Sequence, residues 1–367
     1  AVDVSRKSTT ELGLNRSESS AFDAIYDALA LDDAIGDSFL AIRTQGAFVG
    51  QLQQMLPEHA GGTFEAVTMG DRAVARMLND PKPPYKQDGR MSYWASQVAW
   101  GSSKSIGSTA GYEIGGWGAS GGAEVSTKLG KFGASLAYLW GKDDDKATDN
   151  RVAANQYSLA AHWRYAVDGF QVAARGSCAF LSFDGKRFFR STVGGQEIER
   201  EIQGKWNGNL FSASAIASQE LWAGGFFVRP SAGIEYYSLS EDSYQEEGGG
   251  DALDLAVDKR KSDELAVNGL LIAGFEMGAN ESYDGYFRFE AEAGRRQIVR
   301  GSLGKTSASF TGGETFVLTP EERQSGWVGR ARAIGGDSSF RIAGEVGAEE
   351  REDKVGISAR ASIALGF

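Results

Sequence analysis

Cysteine, histidine, proline and positive charge are all scarce in this sequence, and most of these scarcities remove a class of function. The single cysteine, Cys178, excludes an internal disulfide framework and a cysteine-built metal centre. Only His59 and His162 are available for acid–base work. His59 lies in a Pro-Glu-His-Ala-Gly-Gly segment, His162 sits on the polar side of a strand, and no Gly-x-Ser-x-Gly elbow occurs. Both read as plain polar residues, and the chain reads as a non-enzyme without a cofactor. A formal net charge of -11 leaves no basic face for nucleic acid. No stretch reaches the roughly 18 consecutive apolar residues of a membrane helix. That leaves a membrane open, because a barrel strand needs only about 9–11 residues with alternate positions apolar. Ala1-Val2-Asp3-Val4 lacks the basic start and apolar run of a signal peptide, so the sequence reads as processed or as a piece of a longer chain.

What is abundant is glycine (49 residues) and aromatic side chains (11%), against six prolines. Long strands joined by turns have this composition. The chain divides near residue 88. Before it, Phe22, Ile25, Tyr26 and Leu29 recur at helical spacing, with Ser19 or Ser20 as candidate caps. Two more helices are expected around Ile35–Ile42 and Phe48–Leu56, and a fourth over 63–78. Asn79-Asp80-Pro81 ends the fourth, since proline disfavours helix in the residue before it.

After Gly89 the apolar period becomes two. Val355, Ile357, Ala359, Ala361, Ile363, Leu365 and Phe367 share one face of the last segment. Strands are expected near 92–102, 112–128, 131–141, 153–167, 169–183, 206–222, 226–239, 263–278, 285–300, 324–335, 339–350 and 354–367. Short connections alternate with long polar loops at 143–150, 184–205, 240–262 and 301–323, the signature of an outer-membrane barrel. By the same alternation Leu159, Trp163, Phe287, Phe289, Ile363 and Leu365 face lipid, as does Cys178.

The opposite face carries Arg164, Arg175, Arg229, Arg288, Glu290, Glu292, Arg330, Arg332 and Arg360, with Glu235, Arg341 and Glu345. A soluble sandwich or soluble barrel would bury those charges in a dry core, and its strands would average about 5–6 residues. A wet or plugged lumen resolves the conflict, with lipid on the apolar face. Asp143-Asp144-Asp145 reads as a solvated loop tip rather than a calcium site. The glycine-rich run 115–122 lies in a strand, so it is no phosphate loop.

These features together resemble the translocator domain of autotransporters, the type V secretion system. The resemblance rests on about twelve strands, on a helix directly before the first, and on segments such as Tyr112-Glu113-Ile114-Gly115-Gly116-Trp117 and Phe132-Gly133-Ala134-Ser135-Leu136-Ala137-Tyr138. It also rests on the terminal Ile363, Leu365 and Phe367, which look like the signal read by the barrel-assembly machinery. It implies an all-β transmembrane barrel of about 12 antiparallel strands, with an N-terminal helical segment and a helix threading the pore. The expected division is 1–62 as a helical stalk or passenger remnant, 63–88 as pore helix and linker, and 89–367 as barrel. A helix about 10–12 Å across would fill such a lumen, with Asp71, Arg72 and Arg76 pairing with the charged wall. The implied function is export and anchoring of an N-terminal passenger by a monomer in the Gram-negative outer membrane. Its implied partners are outer-membrane lipids and lipopolysaccharide, and its N-terminal region would lie outside. A stand-alone porin or uptake channel is the alternative, and it would need an open lumen. Some family members cut themselves at paired asparagines inside the pore. Here Asn79 is followed by Asp80, a departure that weighs against cleavage at Asn79.

Overall fold

The computed structural model describes residues 6–78, 91–278, 285–322, 325–337, 340–351 and 354–366; Asn79 and Phe367 fall outside these. Four α-helices come first: α1 (Arg16–Ala28), α2 (Asp33–Leu40), α3 (Gln45–Gln53) and α4 (Gly62–Leu78). The strands follow: β1 (Met91–Lys104), β2 (Tyr112–Thr127), β3 (Gly130–Asp145), β4 (Arg151–Val167), β5 (Phe170–Val193), β6 (Gln196–Gln219), β7 (Leu221–Ala223), β8 (Phe226–Glu241), β9 (Tyr244–Glu247), β10 (Leu255–Val257), β11 (Arg260–Met277), β12 (Tyr286–Ser302), β13 (Thr306–Phe310), β14 (Phe316–Leu318), β15 (Gly326–Gly336), β16 (Phe340–Arg351) and β17 (Lys354–Gly366). The twelve long ones form the wall, each antiparallel to its neighbours. The ring closes where β1 meets β17, with Trp94 opposite Gly366 and Ala99 opposite Ala361. Closure is what lipid demands: an open edge would leave backbone amides unsatisfied in hydrocarbon.

The turns on one rim are tight. Asp168-Gly169, both at positive φ (47° and 78°), join β4 to β5 in two residues, the mirror-image turn that matches the twist of a hairpin. On the other rim the structure departs from the sequence reading. The expected loop 184–205 is a continuous hairpin: β5 and β6 each run 24 residues and turn at Gly194-Gly195. Beyond the lipid-facing wall, charged residues crowd this hairpin and interrupt the one face on which Phe189 and Ile202 are buried, so no clean apolar period runs through it. Cross-strand ion pairs such as Lys186–Glu201 and Arg190–Glu199, both 2.8 Å, support it instead. The loops 240–262 and 301–323 likewise contain β9, β10, β13 and β14. Asp143-Asp144-Asp145 is not a loop tip but the end of β3, with Asp143 buried.

The first three helices form a cap rather than a projecting stalk. Asn15, not Ser19 or Ser20, caps α1, in a reciprocal box with Glu18. Phe22, Ile25, Ile35, Phe39, Leu52 and Met55 share one apolar core with Phe189 and Ile202 of the long hairpin, with Leu253 of a loop turn, and with Leu255, Phe310 and Leu318 of the short loop strands. Arg16 donates to the carbonyls of Thr319 (2.8 Å) and Pro320 (2.9 Å), and Arg187 to that of Gln54 (3.0 Å). The cap is therefore built half from the N-terminal helices and half from the barrel's own loops.

On the wall, Leu159, Phe287, Phe289, Ile363 and Leu365 point outward, and Cys178 is exposed. Trp163 is half-buried and donates its indole N–H to Leu129 O at 2.8 Å. We expect Leu159→Arg to cost about 2–4 kcal/mol in bilayer unfolding titrations, and Leu159→Phe almost nothing. Similar costs for both would mean that residue 159 does not face lipid.

Candidate functional site: an occupied lumen

α4 lies inside the ring. Its apolar residues Ala66, Met69, Ala73 and Val74 pack on Val98, Trp100, Tyr112, Ile114 and Leu139 of β1–β3. Gly70 is what permits this approach: a Cβ there would fall 2.7 Å from the Trp100 ring. The Trp100 indole N–H donates to Ala66 O at 3.1 Å, tying helix backbone to wall. Phe64 and Val67 pack into a second apolar cluster with Phe183, Trp206, Leu210 and Leu239.

The polar side of α4 meets the charged wall. Asp71 accepts two hydrogen bonds from Arg175 (2.8 and 2.9 Å), one from Ser212 (2.7 Å) and one from Ser177 (3.3 Å), all of them buried. Arg72 pairs with Glu264 at 3.1 Å and Glu235 at 3.8 Å, and its guanidinium stands 5.0 Å from the Tyr237 ring centre. Arg76 pairs with Glu292 (2.9 Å) and with Glu345. Through these carboxylates the helix joins Arg296, Arg330 and Arg360.

The remaining wall residues pair among themselves. Glu290 collects Arg229 (3.0 Å), Arg288 (2.8 Å) and Arg332 (3.0 Å). Arg164 and His162 meet on Glu124, at 2.9 and 2.8 Å. Sequence reasoning missed Glu264, Ser177, Ser212, Trp100 and Gly70. The alternation Ser262-Glu264-Ala266 marks Glu264 as inward and would have found it. Serines and glycines carry no comparable signal.

Between α4 and the β6–β17 side of the wall a cavity of about 110 Å³ remains. It has room for a few waters, not for a second polypeptide. At the N-terminal end of α4, Glu58 and His59 link cap to helix. Burial opposes the Glu58 charge, but Arg260, 2.7 Å away, holds its carboxyl below the usual range. The Nδ1–H of His59 donates to Pro57 O (2.8 Å), and Nε2 is buried with no hydrogen-bond partner among the described residues. Burial therefore lowers the His59 pKa.

The family model described as "Autotransporter beta-domain" matches residues 93–342. The chain belongs to the autotransporter β-domain family. Two solved autotransporter barrels share the fold. The translocator domain of NalP from Neisseria meningitidis matches at 15% identity and TM-score 0.60, covering 84% of this chain and 98% of that one. The β domain of the Bordetella autotransporter BrkA matches at 11% identity and TM-score 0.50, covering 76% and 99%. No curated protein sequence matches the chain. As an autotransporter barrel, it is an outer-membrane translocator domain of Gram-negative type.

Two outcomes are expected. Asp71→Ala strands Arg175 in a buried site and should cost the helix seat about 3–5 kcal/mol, read as faster amide exchange in α4; Asp71→Leu combined with Arg175→Met should restore most of the protection. Unchanged exchange in Asp71→Ala would dismiss the pair as an anchor. His59, whose folded pKa is depressed, adds no pH dependence above the ordinary histidine value of about 6.5. Below that value the unfolded chain takes up the proton first, so cap stability falls as pH drops. In an imidazole NMR titration, His59 should stay neutral past that ordinary value, and a midpoint at or above it would refute the assignment.

Proposed function

We propose that the chain exports an N-terminal passenger, then closes its own pore with α4 and holds residues 6–61 outside as a cap on the outer rim. The observation that carries this reading is the seating of α4. A porin conducts through a continuous aqueous lumen, whereas here the space is taken by a helix with ion pairs on one face and apolar contact on the other. The run of the helix supports the direction. Gly62 and Thr63 lie at the rim of long loops, beside Asp143, and Arg76 lies deep in the wall among Glu292 and Glu345. Barrels of this class turn briefly in the periplasm and loop at length outside, which directs the chain before α4 to the cell surface. The partners that fit are outer-membrane lipid and lipopolysaccharide, the barrel-assembly machinery reading Ile363, Leu365 and Phe367, and the passenger. Asp71, Arg72 and Arg76 act in this reading as anchors, the wall residues Arg175, Arg330 and Arg360 with Glu292 as their counterparts, and Asn79 as an uncut joint.

Cysteines placed at Ser20 in the cap and at Lys128 in a short turn, in a Cys178→Ala background, test the topology. On intact cells an impermeant thiol reagent should label position 20 and spare position 128; the opposite pattern would overturn it. Deleting residues 6–78 should raise single-channel conductance several-fold if α4 seals the pore, and an unchanged conductance would restore the porin alternative.

A further inference from the structure

The helical cap turns one face into the core it shares with the loops; its other face looks away from the barrel. From residue 17 to residue 42 the sequence contains Glu18, Asp23, Asp27, Asp32, Asp33 and Asp37 and neither lysine nor arginine. Two of these acids are occupied by the fold. Glu18 is buried in the capping box of α1, and Asp32 caps α2 by accepting from the Ala34 and Ile35 amides at 2.9 and 3.3 Å. The other four are exposed. Asp23 and Asp27 stand one turn apart on α1, and Asp33 and Asp37 one turn apart on α2, so each pair lies on a single helix face. Beside them Tyr26 is 53% exposed, Leu31 48% and Leu40 76%. The cap thus presents large apolar side chains beside exposed carboxylates, with Arg6 against Tyr26 and Arg43 against the Leu40 carbonyl (3.4 Å) as neighbouring cations.

A second observation shows which chemistry this face accepts. Arg6 of the same chain lies on it, its guanidinium 4.7 Å from the ring centre of Phe22 and 4.8 Å from that of Tyr26, in an ion pair with Asp23. One cation is already held by an aromatic ring and a carboxylate together. Among the described residues Asp27, Asp33 and Asp37 have no ion pair. They offer carboxylates beside the exposed aliphatic Leu31 and Leu40 to a partner from outside.

We propose that this face docks a basic amphipathic protein segment, whose lysines or arginines recur about one helical turn apart and whose apolar residues cover Tyr26, Leu31 and Leu40. Charge complementarity selects the partner. An acidic segment or an anionic surface would meet unpaired carboxylates, and a purely apolar one would bury them without counter-charges. The inference depends on the cap as folded and not on the direction of export, so it stands or falls separately from the secretion reading.

The test uses the full chain in nanodiscs of zwitterionic lipid, with empty discs as reference. The probe is a labelled Leu/Lys peptide patterned for an amphipathic helix, compared with a scrambled peptide of identical composition and with a Leu/Glu counterpart. The patterned peptide should bind saturably, and the other two much more weakly. Replacing Asp27, Asp33 and Asp37 together by Asn should weaken binding about tenfold, the sum of three exposed ion pairs. Leu40→Ser should weaken it at high salt as well as low. All four positions are on the surface, and an unchanged His59 imidazole signal would confirm that the cap is intact. Equal binding by the triple variant, or by the scrambled peptide, would overturn the proposal.

Discussion

Charge in a place without bulk water is the constraint on which this structure depends. A wall of twelve strands that shows apolar residues to lipid must turn its other face inward, and in this sequence that face is rich in arginine and glutamate. Those groups cannot be dried unpaired. The wall solves part of the problem itself, with Glu290 serving three arginines and Glu124 serving Arg164 and His162. The helix solves the rest. Asp71 meets Arg175, while Arg72 and Arg76 meet four carboxylates between them. The Asp71 site shows how completely: a carboxylate has about four lone-pair positions, and here two guanidinium N–H groups and two serine hydroxyls approach it.

The helix is held differently on its two sides. Against β1–β3 it packs closely, because Gly70 and the small residues Ala66 and Ala73 let it approach Trp100 and Leu139. On the opposite side long side chains reach across a narrow cavity. The apolar side resists displacement by water, and the ionic side fixes rotation and height, since sliding α4 by one turn would put Asp71 and Arg72 beside the wrong partners. Burial supplies adhesion and the ion pairs supply register, which is the better-attested use of buried charge.

Much of this was legible in the sequence where a physical requirement leaves a periodic trace. Lipid on one side and charge on the other impose a period of two, so the twelve strands, the helix before them and the outward Leu159 and Ile363 could be read directly. The trace fades where that division blurs. In the far part of the β5–β6 hairpin charged residues interrupt the one face that buries Phe189 and Ile202, so its continuation through Lys186 and Glu201 looked like a loop. Asp143-Asp144-Asp145 looked like a tip because no local pattern reveals that α4 starts against Asp143. The cap was half legible: the helices showed apolar faces, but Phe189, Ile202, Phe310 and Leu318, which complete its core, are scattered across more than a hundred residues of loop. Ser177, Ser212 and Gly70 are the hardest to foresee, since their roles come from what stands opposite.

The order of elements along the chain has one more consequence. α4 lies within a ring whose closure joins the strand that follows it to the last strand of the chain. Outside one rim its N-terminal end continues into a folded body of three helices, and its C-terminal end runs on into the ring itself. The arrangement is that of a bolt with its head on one side and its shank welded to the washer on the other. Such a joint resists mechanical load unequally. Tension on the N-terminus first strips the cap from the loops and only then strains the Asp71 site, while withdrawal toward the other rim is blocked until the cap has unfolded. A load applied to the N-terminal end is therefore held by a linkage through the ring as well as by the strength of any single contact.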